Sequence, residues 1–205
     1  MKSTLTELVF IIDRSGSMSG LENDTIGGFN SMLKKQQNES GECRITTVLF
    51  DNYYEILHDR IDIKAVSMLS DKDYFVRGQT ALLDAIGKTI NDVGKRLNET
   101  QEEKRPGKVI FVITTDGLEN ASHLFSYKDI KNMITHQTDR YNWEFIFMGA
   151  NIDFAQEGCK LGINPSLSHG FTGSSDGIRH MFSNVASFCD VLRTEKSNKK
   201  KGVTA

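Results

Sequence analysis

Cysteine is scarce in this sequence of 205 residues: Cys43, Cys159 and Cys189 are three in number and far apart. An odd, dispersed set excludes a disulfide framework and a zinc knuckle, and it fits a reducing, cytoplasmic compartment. Long hydrophobic runs are missing as well. No apolar stretch approaches the ~20 residues that cross a bilayer as a helix, so no membrane is expected as a partner. The first apolar run, residues 8–12, is too short for a signal-peptide core and stops at Asp13. Neither sign of charge is in excess, because 25 Lys plus Arg face 27 Asp plus Glu for a net −2. A dedicated nucleic-acid binder carries a basic surplus, so no nucleic acid is expected either. His58, His123, His136, His169 and His180 show no ligand spacing and read as surface or satisfied core. There is no GxxxxGK[ST] phosphate loop and no GxGxxG fingerprint. The stretch "GSMSG" (residues 16–20) imitates a hydrolase nucleophile elbow, but Met18 stands where the serine should be.

What the chain does contain is a globular balance, 38% hydrophobic and 25% charged residues, enough for a real core. Its pattern alternates strand and helix. "ELVFII" (7–12), "RITTVLF" (44–50), "KVIFVITT" (108–115) and "WEFIFMGA" (143–150) read as buried strands. Asp51-Asn52 reads as a tight hairpin turn into "YYEILH" (53–58), since both residues tolerate positive φ. Ile26, Phe29, Met32 and Leu33 recur at helical spacing. Leu82, Leu83, Ile86, Ile90, Val93 and Leu97 do the same over a longer stretch. Ser126 and Asp129 suggest a capping box before a third helix. A short helix over 154–161, a weak strand over 167–171 and a last helix over 176–192 complete one domain, residues 1–195. The basic tail, 196–205, has no apolar face and is expected to be disordered.

Near-continuous apolar strands separated by helices imply a parallel sheet covered on both faces. The fold class is therefore α/β: an open, doubly wound, Rossmann-like, mostly parallel sheet with one antiparallel edge strand. In such sheets ligands bind outside the carboxyl ends of the strands, where strand order reverses. Two strands end in acids, Asp13 and Asp116. Ser15 and Ser17 follow Asp13, and Thr80 opens the long helix after "GQ". If the two strands are neighbours, two carboxylates and three hydroxyls converge. All are hard oxygen donors, a set that suits Mg²⁺ or Mn²⁺ rather than zinc or copper. Two carboxylates balance a divalent cation, while neutral hydroxyls leave it electrophilic. Mg²⁺ takes six oxygens at ~2.1 Å and retains waters, so one position can go to an acid from a partner.

Asp13-Arg14-Ser15-Gly16-Ser17 resembles the DxSxS motif of von Willebrand factor type A domains. Thr80 in "GQTAL" is similar to that family's second metal motif, and Asp116 in "TTDG" to its third. The resemblance covers roughly residues 5–192, with motif order and strand context in agreement. It implies a metal-ion-dependent adhesion site. Ser15, Ser17 and Thr80 would coordinate through hydroxyls, Asp13 and Asp116 directly or through water. It further implies a protein partner that supplies Glu or Asp. "FMGANIDF" (147–154) resembles bacterial and phage cytosolic members, which suggests an intracellular adaptor, in a complex with an ATPase of the kind that accompanies bacterial relatives.

Each residue also has a plainer reading. Asp13, Ser15 and Ser17 alone fit a helix cap equally well, and Asp116-Gly117 alone fits a turn. Met18 reads as packing, Arg14 as a solvated charge on the rim, and Asn151 as a turn residue. The non-enzymatic binding module competes with a Mg²⁺-dependent phosphohydrolase using Asp13 or Asp116. Against the enzyme, Ser15 stands where a second acid would be, and no general base is placed.

Overall fold

The computed structural model describes residues 2–194; the tail at 196–205 lies outside them. In chain order the elements are β1 (Lys2–Asp13), α1 (Glu22–Asn38), β2 (Glu42–Phe50), β3 (Tyr54–Asp62), α2 (Leu82–Glu99), β4 (Pro106–Thr115), α3 (Tyr127–Tyr141), β5 (Glu144–Ala150), α4 (Phe154–Leu161), β6 (Ser168–Phe171) and α5 (Ser175–Thr194). The strands form one sheet in the order β3-β2-β1-β4-β5-β6. All neighbours are parallel except the β2–β3 edge pair. The chain leaves β1 toward β2 on one side and later returns to β4 on the other, so the order reverses between β1 and β4.

Both faces of the central strands are covered, which is why they read as unbroken apolar runs. Leu8, Phe10 and Ile12 of β1 pack toward α1 and α5. Val9 and Ile11 pack toward α2 and α3 on the opposite face. Aromatic rings tie each layer. Phe29 of α1 meets Phe10 edge-on at 5.4 Å and Phe182 of α5 at 6.2 Å. Phe111 stacks on Trp143 and Phe145 at 5.3 and 4.9 Å on the other face.

Several expectations hold with small shifts. β1 begins earlier than residue 7, because its pairing with β2 and β4 continues upstream. The buried Glu7 within it is held by Arg60 Nε at 3.0 Å. The Ser126–Asp129 capping box is present. Met18 is buried in the α1/α5 layer, and Asn151 adopts φ 56° at the end of β5. His58 is buried and bonded to Thr47 Oγ1 at 3.0 Å. Cys43 and Cys189 are buried free thiols, both pushed up to about 12 by burial, and Cys159 is an exposed free thiol. Among the described residues no helix is long and apolar enough to cross a membrane.

The hairpin between β2 and β3 falls where expected but is not bent as expected, and the reading of Arg14 fails. Neither Asp51 nor Asn52 has positive φ. The loop between β2 and β3 is shaped instead by the Asp51 carboxylate, whose Oδ1 accepts the Tyr53 backbone N–H at 2.6 Å. Arg14 is not a solvated charge but fully buried. Its Nε donates to Asp51 Oδ2 at 3.0 Å, and its Nη2 lies 2.8 Å from Glu55. A residue leaving the centre of a two-faced sheet has little solvent to reach, so it carries its own counterions.

α1 and α5 approach closely because position 28 is glycine. A Cβ there would stand 2.5 Å from the Phe182 ring, which is itself buried. Gly28→Ala should lower stability by ~1–3 kcal/mol through overpacking, despite alanine's better helix propensity. Adding Phe182→Leu should recover part of that loss. A double-mutant cycle from urea unfolding measures the coupling, and strictly additive losses would refute the contact.

Candidate metal centre

The reversal of strand order brings the acids together. Ile12 of β1 lies opposite Thr114 of β4, so Asp13 and Asp116 emerge side by side at the carboxyl edge. Both are buried, as are Ser15 and Thr80. The five sequence-predicted residues form one hydrogen-bonded chain. Thr80 Oγ1 donates to Ser15 Oγ at 3.0 Å. Ser15 Oγ and Ser17 Oγ share a bond of 3.0 Å, and Ser17 Oγ donates to Asp116 Oδ1 at 2.5 Å. Asp13 joins through Ser15, whose backbone N–H donates to its Oδ1 at 2.7 Å. All five expected residues therefore meet in one crevice.

The donor set fits a small hard cation. Adjacent oxygens of an octahedron with ~2.1 Å bonds are about 3.0 Å apart. The Thr80–Ser15 and Ser15–Ser17 separations, 3.0 Å each, match that edge. Among the described residues no group of three His, Cys, Asp or Glu side chains gathers anywhere. The cluster described here gathers its oxygens from two carboxylates and three hydroxyls instead. Gly117 keeps the crevice open: a Cβ there would lie 3.1 Å from Ser17 Oγ and 3.3 Å from Thr80 Oγ1.

Solved structures share this architecture. No family model and no curated protein matches the sequence. A von Willebrand factor type A structure from Catenulispora acidiphila aligns at TM-score 0.58 and 13% identity, over 92% of this chain and 43% of that one. The vWF domain of the type V pili tip protein Mfa5 from Porphyromonas gingivalis aligns at 0.59 and 13%, over 99% of each chain. Proximal thread matrix protein 1 from the mussel byssus, solved with zinc occupying its MIDAS motif, aligns at 0.62 and 14%, over 92% and 46%. The chain has the von Willebrand factor type A fold. It spans less than half of the byssus protein's chain. At these identities the likeness is one of fold.

Several residues around the type A crevice carried no assigned role in the sequence. Thr115 Oγ1 donates to Asp13 Oδ2 at 2.6 Å, so both Asp13 oxygens are engaged. The doubled threonine of "TTDG" at a strand end is the signal for it. Tyr74 Oη donates to the Asp13 carbonyl at 2.7 Å. The loop at 116–126 and the start of α2 hold each other reciprocally. Glu119 and Ser122 accept the backbone N–H groups of Leu83 and Asp84 at 2.9 and 3.0 Å. Asp84 in turn accepts those of His123, Leu124 and Phe125. Asn120 Oδ1 takes the Thr80 N–H at 2.9 Å, and the Asn120 N–H donates to the Thr80 carbonyl at 3.1 Å.

Burial opposes charge on both acids. It pushes Asp13 up to about 6 against the bonds from Thr115 and Ser15, with nearby Asp116 adding in the same direction. Asp116 is raised by burial too, opposed by Ser17. The folded, metal-free domain therefore holds the Asp13 proton more tightly than the unfolded chain does. That contribution, ~3 kcal/mol, is full below the unfolded value of 3.8 and lost as pH rises through about 6. In chelator, stability should fall over that window, and Asp13→Asn should flatten the slope. Added Mg²⁺ should stabilise more at neutral pH than under acid conditions, because protons compete for the same carboxylates. Urea unfolding at stepped pH, with and without chelator, measures both; a slope unchanged by Asp13→Asn would refute the assignment.

Proposed function

We propose that the domain is a divalent-metal-dependent protein-binding module, not an enzyme, with Mg²⁺ or Mn²⁺ held by Asp13, Ser15, Ser17, Thr80 and Asp116. The observation that carries this reading is the connected set of oxygens, with the Thr80–Ser15 and Ser15–Ser17 pairs at octahedral spacing and Asp116 bonded to Ser17. A bound divalent cation supplies an electrophilic point that a carboxylate from outside can complete. Ser15, Ser17 and Thr80 offer neutral oxygens and leave that positive character in place. Asp116 faces the hydroxyls and supplies charge. Asp13, with both oxygens engaged by Ser15 and Thr115, suits a supporting role that orients the Ser15 loop. The natural ligand is then a Glu or Asp side chain of a partner protein. The zinc-occupied MIDAS motif of the byssus protein supports metal binding by this fold, while the all-oxygen donors here favour a harder ion.

Phosphohydrolase chemistry fits less well. Attack through Asp13 would break two short hydrogen bonds made by a fully buried side chain. Three free thiols support a reducing, cytoplasmic setting, in which the module serves as an adaptor within an intracellular complex that includes an ATPase.

Mg²⁺ should raise the melting temperature, because a ligand specific to the folded state stabilises it by about 2.7 kcal/mol at a hundredfold excess over its Kd. Ser15→Ala/Ser17→Ala should abolish that gain. Asp116→Ala should abolish it without unfolding the metal-free domain. Calorimetric titration with Mg²⁺ and Mn²⁺ is the direct measurement. A captured partner should lose binding in chelator and when its key acid is changed to the amide. Thr80→Ala should weaken that partner more than the metal. Capture unaffected by chelator and by amidation of every acid would refute the mechanism.

A further inference from the structure

Exposed large hydrophobic side chains gather on the loops around the crevice. Tyr53 and Phe75 stand on one side, and Leu118 and Leu124 on the loop after β4. The Tyr53–Phe75 side is organised by Arg77. Its guanidinium lies over the Tyr53 ring at 5.1 Å and the Phe75 ring at 5.2 Å. Its Nε donates to Asp51 Oδ2 at 2.7 Å, the same oxygen that Arg14 engages. Its backbone N–H donates to the Arg14 carbonyl at 2.9 Å, which ties it to the loop carrying Ser15 and Ser17. Asp51 is wholly buried, whereas the Arg77 side chain is 41% exposed. Among the described residues its side-chain hydrogen bonding runs through Nε, which leaves the rest of a five-donor fork for a ligand. Glu55 faces the same cluster and is engaged by Arg14 Nη2 at 2.8 Å.

We propose that Arg77 is a second anchor for the partner: one partner carboxylate completes the metal centre while a second, on the same segment, docks on the Arg77 fork between Tyr53 and Phe75. This rests on the adhesion-site reading above. A planar guanidinium matches a carboxylate in two parallel bonds. Stacking between rings and the tie to Asp51 fix its orientation before the ligand arrives. Tyr and Arg are the residues that most often carry interface energy. Arg77 precedes Thr80 by three residues, so their Cα atoms are at most roughly 10 Å apart. The partner is therefore an acidic segment with two carboxylates within a few residues of each other.

The probe is a set of peptides displayed densely on beads, identical except for one glutamate or two at separations up to roughly 10 Å. Binding of the full chain is measured in Mg²⁺ and in chelator. The wild type should prefer the best two-glutamate peptide over the single one by about threefold or more, as a charge-assisted pair predicts. Arg77→Gln should erase the preference and keep metal-dependent capture by the single-glutamate peptide. Arg77→Lys should retain part of it. Because the readout is a ratio within one protein, a general loss of stability cancels. Equal binding of single and double peptides by the wild type, or a preference that survives Arg77→Gln, overturns the second anchor and leaves the adhesion site standing. Absence of Mg²⁺-dependent capture of any peptide overturns both.

Discussion

Two carboxylates, Asp13 and Asp116, end neighbouring strands at the point where the sheet changes direction, and burial resists charging either one. Much of the surrounding structure answers that constraint. Thr115 and the Ser15 backbone satisfy Asp13, and Ser17 satisfies Asp116. No cationic side chain bonds to either acid among the described residues. Arg14, adjacent in sequence, turns away to Asp51. Local charge is thus left negative at one small oxygen-lined position, which is what a divalent cation needs.

Arg14 and Asp51 carry a second consequence. A buried guanidinium without a partner would cost several kcal/mol. The Asp51 carboxylate therefore fixes where the β2–β3 loop can lie, and with it Arg77. The exposed aromatic rim is in this sense an outgrowth of a buried ion pair, and it stands beside the crevice because Arg14 sits between Asp13 and Ser15 in the chain.

How much of this was legible in the sequence follows from range. Strands buried on both faces must be apolar throughout, so the sheet could be read from residues 7–12, 44–50, 108–115 and 143–150. The site residues sit at the ends of those runs, where a carboxylate or a row of hydroxyls stands out. Arg14 was misread because its burial is created by Asp51, distant in the chain. The Asp51-Asn52 hairpin was legible in its place but not in its bending device, because a side-chain bond takes the part expected of positive φ. Asp84 belongs to no motif that would mark it in the sequence. Only the folded chain brings residues 123–125 over it.

That reciprocal bonding between the start of α2 and the loop at 116–126 makes Thr80 and Asp116 parts of one stiff body. Two sites separated widely in sequence would ordinarily lose independent motions when a ligand joins them. Here those motions were surrendered on folding. Ligation therefore meets a lower entropic barrier. Any displacement of Thr80 must be shared by the Asp116 loop and by the start of α2.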